Sequence, residues 1–195
     1  MKKLMIAAVV VCAAAFANAA TINWQNGVGV NAYGQPGDDG AAYVGNLYLM
    51  QGDATAGQAF LTAVLGADDF AAEFNTQVAS ALHSFTQTDY EPAIQSFTHS
   101  LTPGYYDFFV VGLDEANKGV YISELASGVS ILGTGSSDVV FSHDGAYDAA
   151  NNPFPAGTTT YASATGGWYT AVPEPTSGLL LLLGVAGLAL RRRRA

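Results

Sequence analysis

The residues able to do acid–base, nucleophilic or metal chemistry are few, and their spacing restricts what they can do. Three histidines are present, His83, His99 and His143, and none pairs with another at the helical spacing that clasps zinc. His99 lies in Ser-Phe-Thr-His-Ser. If that stretch is a strand, His99 shares a face with Phe97 and Leu101 and serves packing. Cys12 is the only cysteine and sits in the first apolar run, so removing that run removes the only thiol. No Gly-x-Ser-x-Gly elbow occurs. Gly133-Thr134-Gly135-Ser136-Ser137 lacks the lysine of a phosphate-binding loop and reads as a turn. The acidic pairs Asp38-Asp39, Asp68-Asp69 and Asp114-Glu115 could supply the hard oxygen ligands that Ca²⁺ takes. The Asp114 to Gly119 stretch fails the EF-hand pattern, because Lys118 stands at a ligand position. Two carboxylates about 5–10 Å apart would suit glycoside hydrolysis, but spacing singles out no such pair. The expectation is a protein that is not an enzyme and has no cofactor, with Ca²⁺ the one cation left open.

Aromatic residues are the remaining lead. Ten Tyr, ten Phe and two Trp are present. Two or more Tyr or Trp exposed in a row on one sheet face could stack on sugars and make a polysaccharide-binding face. Packing within and between strands is the simpler use of the same residues.

These side chains need a scaffold, and 195 residues allow one domain with additions at its ends. Only 12% of residues are charged and 22 are Gly, which excludes a coiled coil and a highly charged disordered chain. Between Ala20 and Val172 stand fifteen acidic residues and one basic residue, Lys118, a net charge of about −14. Nucleic acid must be met by clustered Lys or Arg, so the body excludes it as a partner.

From Thr21 to Thr170, Gly, Asn and Pro recur every eight to twelve residues through much of the chain, the punctuation of an all-β sandwich or barrel. The spacing predicts a mainly β fold, a single β-sandwich-like domain of seven to nine strands. The strongest strand is Tyr105 to Val111. It places Tyr106, Phe108 and Val110 on one face, and Tyr105, Asp107, Phe109 and Val111 on the other. Asp114 to Gly119 is a turn and Val120-Tyr121-Ile122 returns, so 104–123 reads as a hairpin. Other strands are expected at Thr21–Trp24, Ala41–Met50, Val129–Leu132, Val139–Ser142, Thr158–Ala162 and Trp168–Val172. Ser84-Phe85-Thr86 recurs as Ser96-Phe97-Thr98 and hints at two similar strands. Asp144 to Gly157 reads as an exposed loop.

One stretch breaks the β pattern. One or two short helices are expected between 56 and 82, inserted between strands. Thr55 and Gln58 fit a capping box, and Gly66 fits a stop. Asp68 or Asp69 would cap a second helix with Phe70, Phe74 and Val78 on one side. The alternative is a strand already running over 77–86.

The chain ends read as addresses. Residues 1–19 form a secretory signal peptide: Lys2 and Lys3, an apolar run from Leu4 to Phe16, and Ala17-Asn18-Ala19 as the small-x-small site cut by signal peptidase. Cleavage after Ala19 would leave Ala20 as the mature N-terminus of an exported body, residues 20–171. At the other end, Val172-Pro173-Glu174-Pro175 cannot propagate a helix. Gly178 to Leu190 then runs thirteen residues without a polar side chain, and Arg191, Arg192, Arg193 and Arg194 follow. A helix of that length spans about 20 Å, against a hydrocarbon core of about 30 Å. Such a C-terminal transmembrane helix is a weak anchor, with its Arg-flanked end held in the cytoplasm.

The segment 172–195 resembles the PEP-CTERM sorting signal of Gram-negative bacteria in three ordered features. These are Val172-Pro173-Glu174-Pro175, the Leu179 to Gly184 run with Gly187 to Leu190, and the arginine cluster. The resemblance implies recognition of Pro173, Glu174 and Pro175 by an exosortase, a membrane-embedded peptidase. It also implies cleavage near that motif and delivery of the body across the inner membrane to the cell surface or beyond, in bacteria that make exopolysaccharide and biofilm. The resulting expectation is a noncatalytic surface or matrix protein, with extracellular polysaccharide as its partner. A carbohydrate-binding module and a secreted hydrolase are the alternatives.

Overall fold

A computed structural model describes residues 19–26, 30, 32, 42–88, 94–141 and 159–170. The elements in chain order are β1 (Thr21–Asn26), β2 (Gly45–Gln51), α1 (Ala54–Leu65), α2 (Phe70–Val78), β3 (His83–Gln87), β4 (Ile94–Thr98), β5 (Gly104–Asp114), β6 (Gly119–Ser123), β7 (Ala126–Ile131), β8 (Ser136–Phe141) and β9 (Gly166–Thr170). Among the described residues the fold is mainly β, with two sheets and two helices. The signal peptide, the transmembrane tail and the Asp144 to Gly157 loop lie outside the described residues. Among the described residues, no helix is long and apolar enough to cross a membrane.

The smaller sheet has strand order β4-β1-β8, with β1 antiparallel to β4 and parallel to β8. The larger runs β3-β2-β5-β6-β9, and β7 pairs with β5 as well. The eleven residues of β5 make this possible. Its second half, Val111–Asp114, pairs with β6, while Gly104–Phe108 pairs with β7 across a bulge between Tyr106 and Phe108. The 104–123 hairpin is present, closed where Asp114 faces Gly119.

Alternation along the strands builds the sandwich core. Ile22, Trp24, Val139 and Phe141 of the small sheet face Leu47, Leu49, Phe108, Val110, Tyr121 and Trp168 of the large one, all but fully buried. Buried aromatic pairs prefer edge-to-face contact. Trp168 meets Tyr43 that way at 5.5 Å between ring centres and is tilted against Tyr121 at 5.6 Å.

In a two-layer sandwich the opposite face of β5 would meet water. Here Phe109 and Val111 are as buried as Phe108 and Val110, because α1 and α2 lie over them. Phe60, Leu61 and Val64 of α1 and Phe70, Phe74 and Val78 of α2 cover Met50, Phe109, Val111, Val120, Ile122 and Tyr169. The helices, expected as an insertion between strands, are therefore a third layer. The physical reason is that the large sheet is apolar on both sides and must be covered on both.

Three local expectations are corrected. Helix α1 is capped by Asp53, whose carboxylate accepts from Ala56 N at 2.9 Å. Thr55 is thus already inside the helix, and no Thr55–Gln58 capping box forms. Gln58 instead reaches the later chain, donating to Thr159 O at 2.6 Å and accepting from Tyr161 N at 2.7 Å. That tertiary use also removes the strand expected at 158–162: residues 159–162 are not in a strand. Tyr161 packs into the helical layer instead and donates its hydroxyl to Ser123 O at 2.7 Å. The strand expected from Ala41 begins at Gly45. Gly66 ends α1 and Asp69 caps α2 at 3.0 Å from Ala72 N, as expected. The alternative strand over 77–86 gives way to α2 through Val78 and to β3 from His83.

Candidate functional site

Of the residues expected to direct processing, Ala17, Pro173, Glu174, Pro175, Arg191, Arg192, Arg193 and Arg194 lie outside the described residues. The fold nevertheless meets both signals closely. Ala20 O accepts from His99 N at 3.2 Å, and Thr21 N donates to Gly135 O at 2.8 Å. Thr21 then opens β1, the middle strand of the small sheet. Ala20 and Thr21, the two residues that follow the bond expected to be cut after Ala19, are therefore already hydrogen-bonded into the sandwich. At the other end β9 runs to Thr170.

Two of the candidate ligand residues, Asp69 and Asp114, have structural duties. Asp69 caps α2. Asp114 accepts from Asn117 N at 3.1 Å and from its Nδ2 at 2.8 Å, closing the hairpin turn. Asp38, Asp39 and His143 lie outside the described residues, among which no group of three or more His, Cys, Asp or Glu side chains converges. His83 Nδ1 accepts from the Trp24 indole at 3.1 Å, and burial lowers its pKa below the usual 6.5. His99 Nδ1 accepts from Leu101 N at 3.2 Å, which leaves the proton on Nε2, a buried atom without a partner.

A groove forms between the start of α1 and the strands β5 and β7. Its walls are Gln51, Gly52 and Asp53 at the start of α1, Tyr105, Tyr106 and Asp107 on β5, and Gly128 on β7. Its volume is ≈ 300 Å³, at the low end of the roughly 300–1,000 Å³ of ligand sites. The bulge in β5 shapes it, since bulges re-aim the side chains beside them. Asp107 Oδ1 accepts from Gly128 N at 2.7 Å, and its carbonyl accepts from Gly52 N at 2.9 Å. Tyr105 stands out of this frame 79% exposed.

No second exposed Tyr or Trp accompanies Tyr105 among the described residues; Trp24, Trp168, Tyr121 and Tyr169 are core. The flat aromatic row that would have marked a sugar-binding sheet face is absent there, and a single tyrosine in a polar groove stands in its place. The sequence carried one sign of it, the alternation of Tyr105 and Asp107 on the far face of the strongest strand. Nothing local joined Asp53 to them.

No curated protein and no solved structure matches the chain. A family model does match its C-terminal segment. Residues 171–194 are a PEP-CTERM protein-sorting motif, which makes the protein an exported exosortase substrate, processed at the membrane and ending at the cell surface.

Proposed function

We propose that the protein is a noncatalytic component of the cell surface or extracellular matrix of a Gram-negative bacterium. It crosses the inner membrane under a signal peptide, residues 1–19, and is held briefly by the apolar helix Gly178 to Leu190 of the tail 172–195, with its C-terminus in the cytoplasm. Cleavage near Pro173-Glu174-Pro175 frees the body to act within exopolysaccharide or biofilm, with no cofactor. One observation carries the reading. A sandwich that begins at Thr21 and ends at Thr170 fills the space between the two processing signals, so cutting at both leaves the fold whole.

The test is mass spectrometry of the surface form. The expected species starts at Ala20 and lacks peptides covering Leu179 to Ala195. Replacing Glu174, or Pro173 and Pro175 together, with Ala should leave an uncut, membrane-retained chain. Tail peptides in released protein, or normal release of these variants, would reduce the tail to a permanent anchor.

The Tyr105 groove favours a carbohydrate-binding module as the second reading. A tyrosine face can stack on a sugar ring while Gln51, Asp53 and Asp107 offer donors and acceptors to its hydroxyls. A pull-down against the host's own exopolysaccharide tests it: capture should be lost in Tyr105→Ala. The hydrolase reading has less support, because Asp53 and Asp107 each already accept a backbone N–H.

A further inference from the structure

Strand β9 stops at Thr170, and Pro173 follows three residues later. Three residues reach at most about 10 Å fully extended. Thr170 is the register partner of Gly119, and Gly119 closes the β5–β6 hairpin opposite Asp114. The C-terminal end of β9 therefore lies beside the turn Glu115-Ala116-Asn117-Lys118, all four residues exposed. The turn is firmly built. Asp114 holds Asn117 through both carboxylate oxygens, and Lys118 N donates to Glu115 O at 3.3 Å, with Lys118 at φ 52.

We propose that this end of the sandwich, the exposed Glu115–Lys118 turn beside the buried Gly119–Thr170 pair, is the surface that abuts the exosortase while it takes the Pro-Glu-Pro segment. The inference rests on the reading that the tail is cut near Pro173. A peptidase cleft grips several residues of extended substrate, and a tether of about 10 Å leaves no room for the body to hang clear of it. The other way to gain length is to peel β9 from β6. That route exposes Trp168 and Tyr169, both fully buried, and breaks the 2.7 Å bond from Ala162 N to the Tyr169 hydroxyl. Burial of two large aromatics opposes it, so the enzyme meets the folded end.

The test follows conversion of the full chain to its processed form by pulse-chase in the producing cell. Ala116→Trp places a bulky side chain on the turn, away from the core. It should slow conversion several-fold, and a Gly-Ser spacer after Ala171 that doubles the tether should restore the rate. A disulfide staple from Gly119→Cys with Thr170→Cys, verified by thiol alkylation, pins β9 to β6 and should leave conversion unchanged. Native-rate conversion of Ala116→Trp, failure of the spacer to rescue it, or a block by the staple would each overturn the proposal. Glu174→Ala separates the two readings. If it converts normally, the reading of the tail fails and this surface with it. If it is blocked while Ala116→Trp is not slowed, the surface alone fails.

Discussion

The indole N–H of Trp24 donates to Nδ1 of His83 at 3.1 Å, and this bond fastens the middle strand of the small sheet to an edge strand of the large one. Phe97, on the edge strand of the small sheet, stacks on the same imidazole with ring centres 4.7 Å apart and planes 12° apart. Phe85 meets Trp24 edge-on at 5.1 Å. The two Ser-Phe-Thr segments are thus strands of different sheets, β3 and β4, whose phenylalanines pack on one core.

That bond requires a neutral imidazole. Burial lowers the His83 pKa below 6.5, so at mildly acid pH the folded chain binds fewer protons than the unfolded one. The stability is fully present above about pH 6.5 and is lost as the pH falls through the lowered folded value. Thermal unfolding followed from pH 7.5 downward should show a falling midpoint. His83→Gln, which keeps an acceptor and does not titrate, should flatten that part of the profile. An identical profile in the variant would show that the Trp24–His83 contact contributes nothing to it.

Helix α1 gives a test of which residue caps it. Asp53→Ala should cost about 1 kcal/mol, the usual value of an N-cap. Thr55→Ala should change stability by less than about 0.5 kcal/mol, because Thr55 is exposed and inside the helix. Urea midpoints of the two variants decide the matter, and the reverse order would restore the Thr55 capping box.

Two glycines of similar conformation should differ in tolerance. Gly128 has φ +65 with open space where a Cβ would sit. Gly166 has φ +62, and a Cβ there would lie 2.4 Å from the backbone of Ser123 and Glu124. Gly128→Ala should cost about 1–2 kcal/mol, the left-handed penalty alone. Gly166→Ala adds a clash with backbone that cannot turn aside, and should cost more than about 3 kcal/mol or prevent folding. Chemical denaturation of both measures the difference.

The arginine cluster makes a separate prediction about the tail. Neutral residues in place of Arg191 to Arg194 remove the positive flank that orients the apolar run. The expected outcome is weaker membrane retention of the uncut chain, seen as uncut protein in the soluble fraction. The Pro-Glu-Pro variants should do the opposite and accumulate uncut protein in the membrane.

The sequence alone determined what depends on local order. The sorting motif needs only its three features in series. A cap at Asp68 or Asp69, the Phe70-Phe74-Val78 face and the Tyr105 to Val111 alternation follow from backbone geometry over a few residues, and the structure selects Asp69. Tertiary structure decided everything that joins distant segments. Phe109 and Val111 on the far face of β5 gave no sign whether water or a helix lay beyond them, and packing of Phe60 and Phe74 answered that. Local spacing offers Gln58 as a capping partner for Thr55, whereas Asp53 is the cap, because the true partners of Gln58 stand about a hundred positions downstream. The groove unites Asp53, Tyr105 and Gly128 from three separate elements, beside one bulge in β5. Local propensity acts over a few residues, whereas burial of a two-faced apolar sheet is settled only when the whole chain has closed around it.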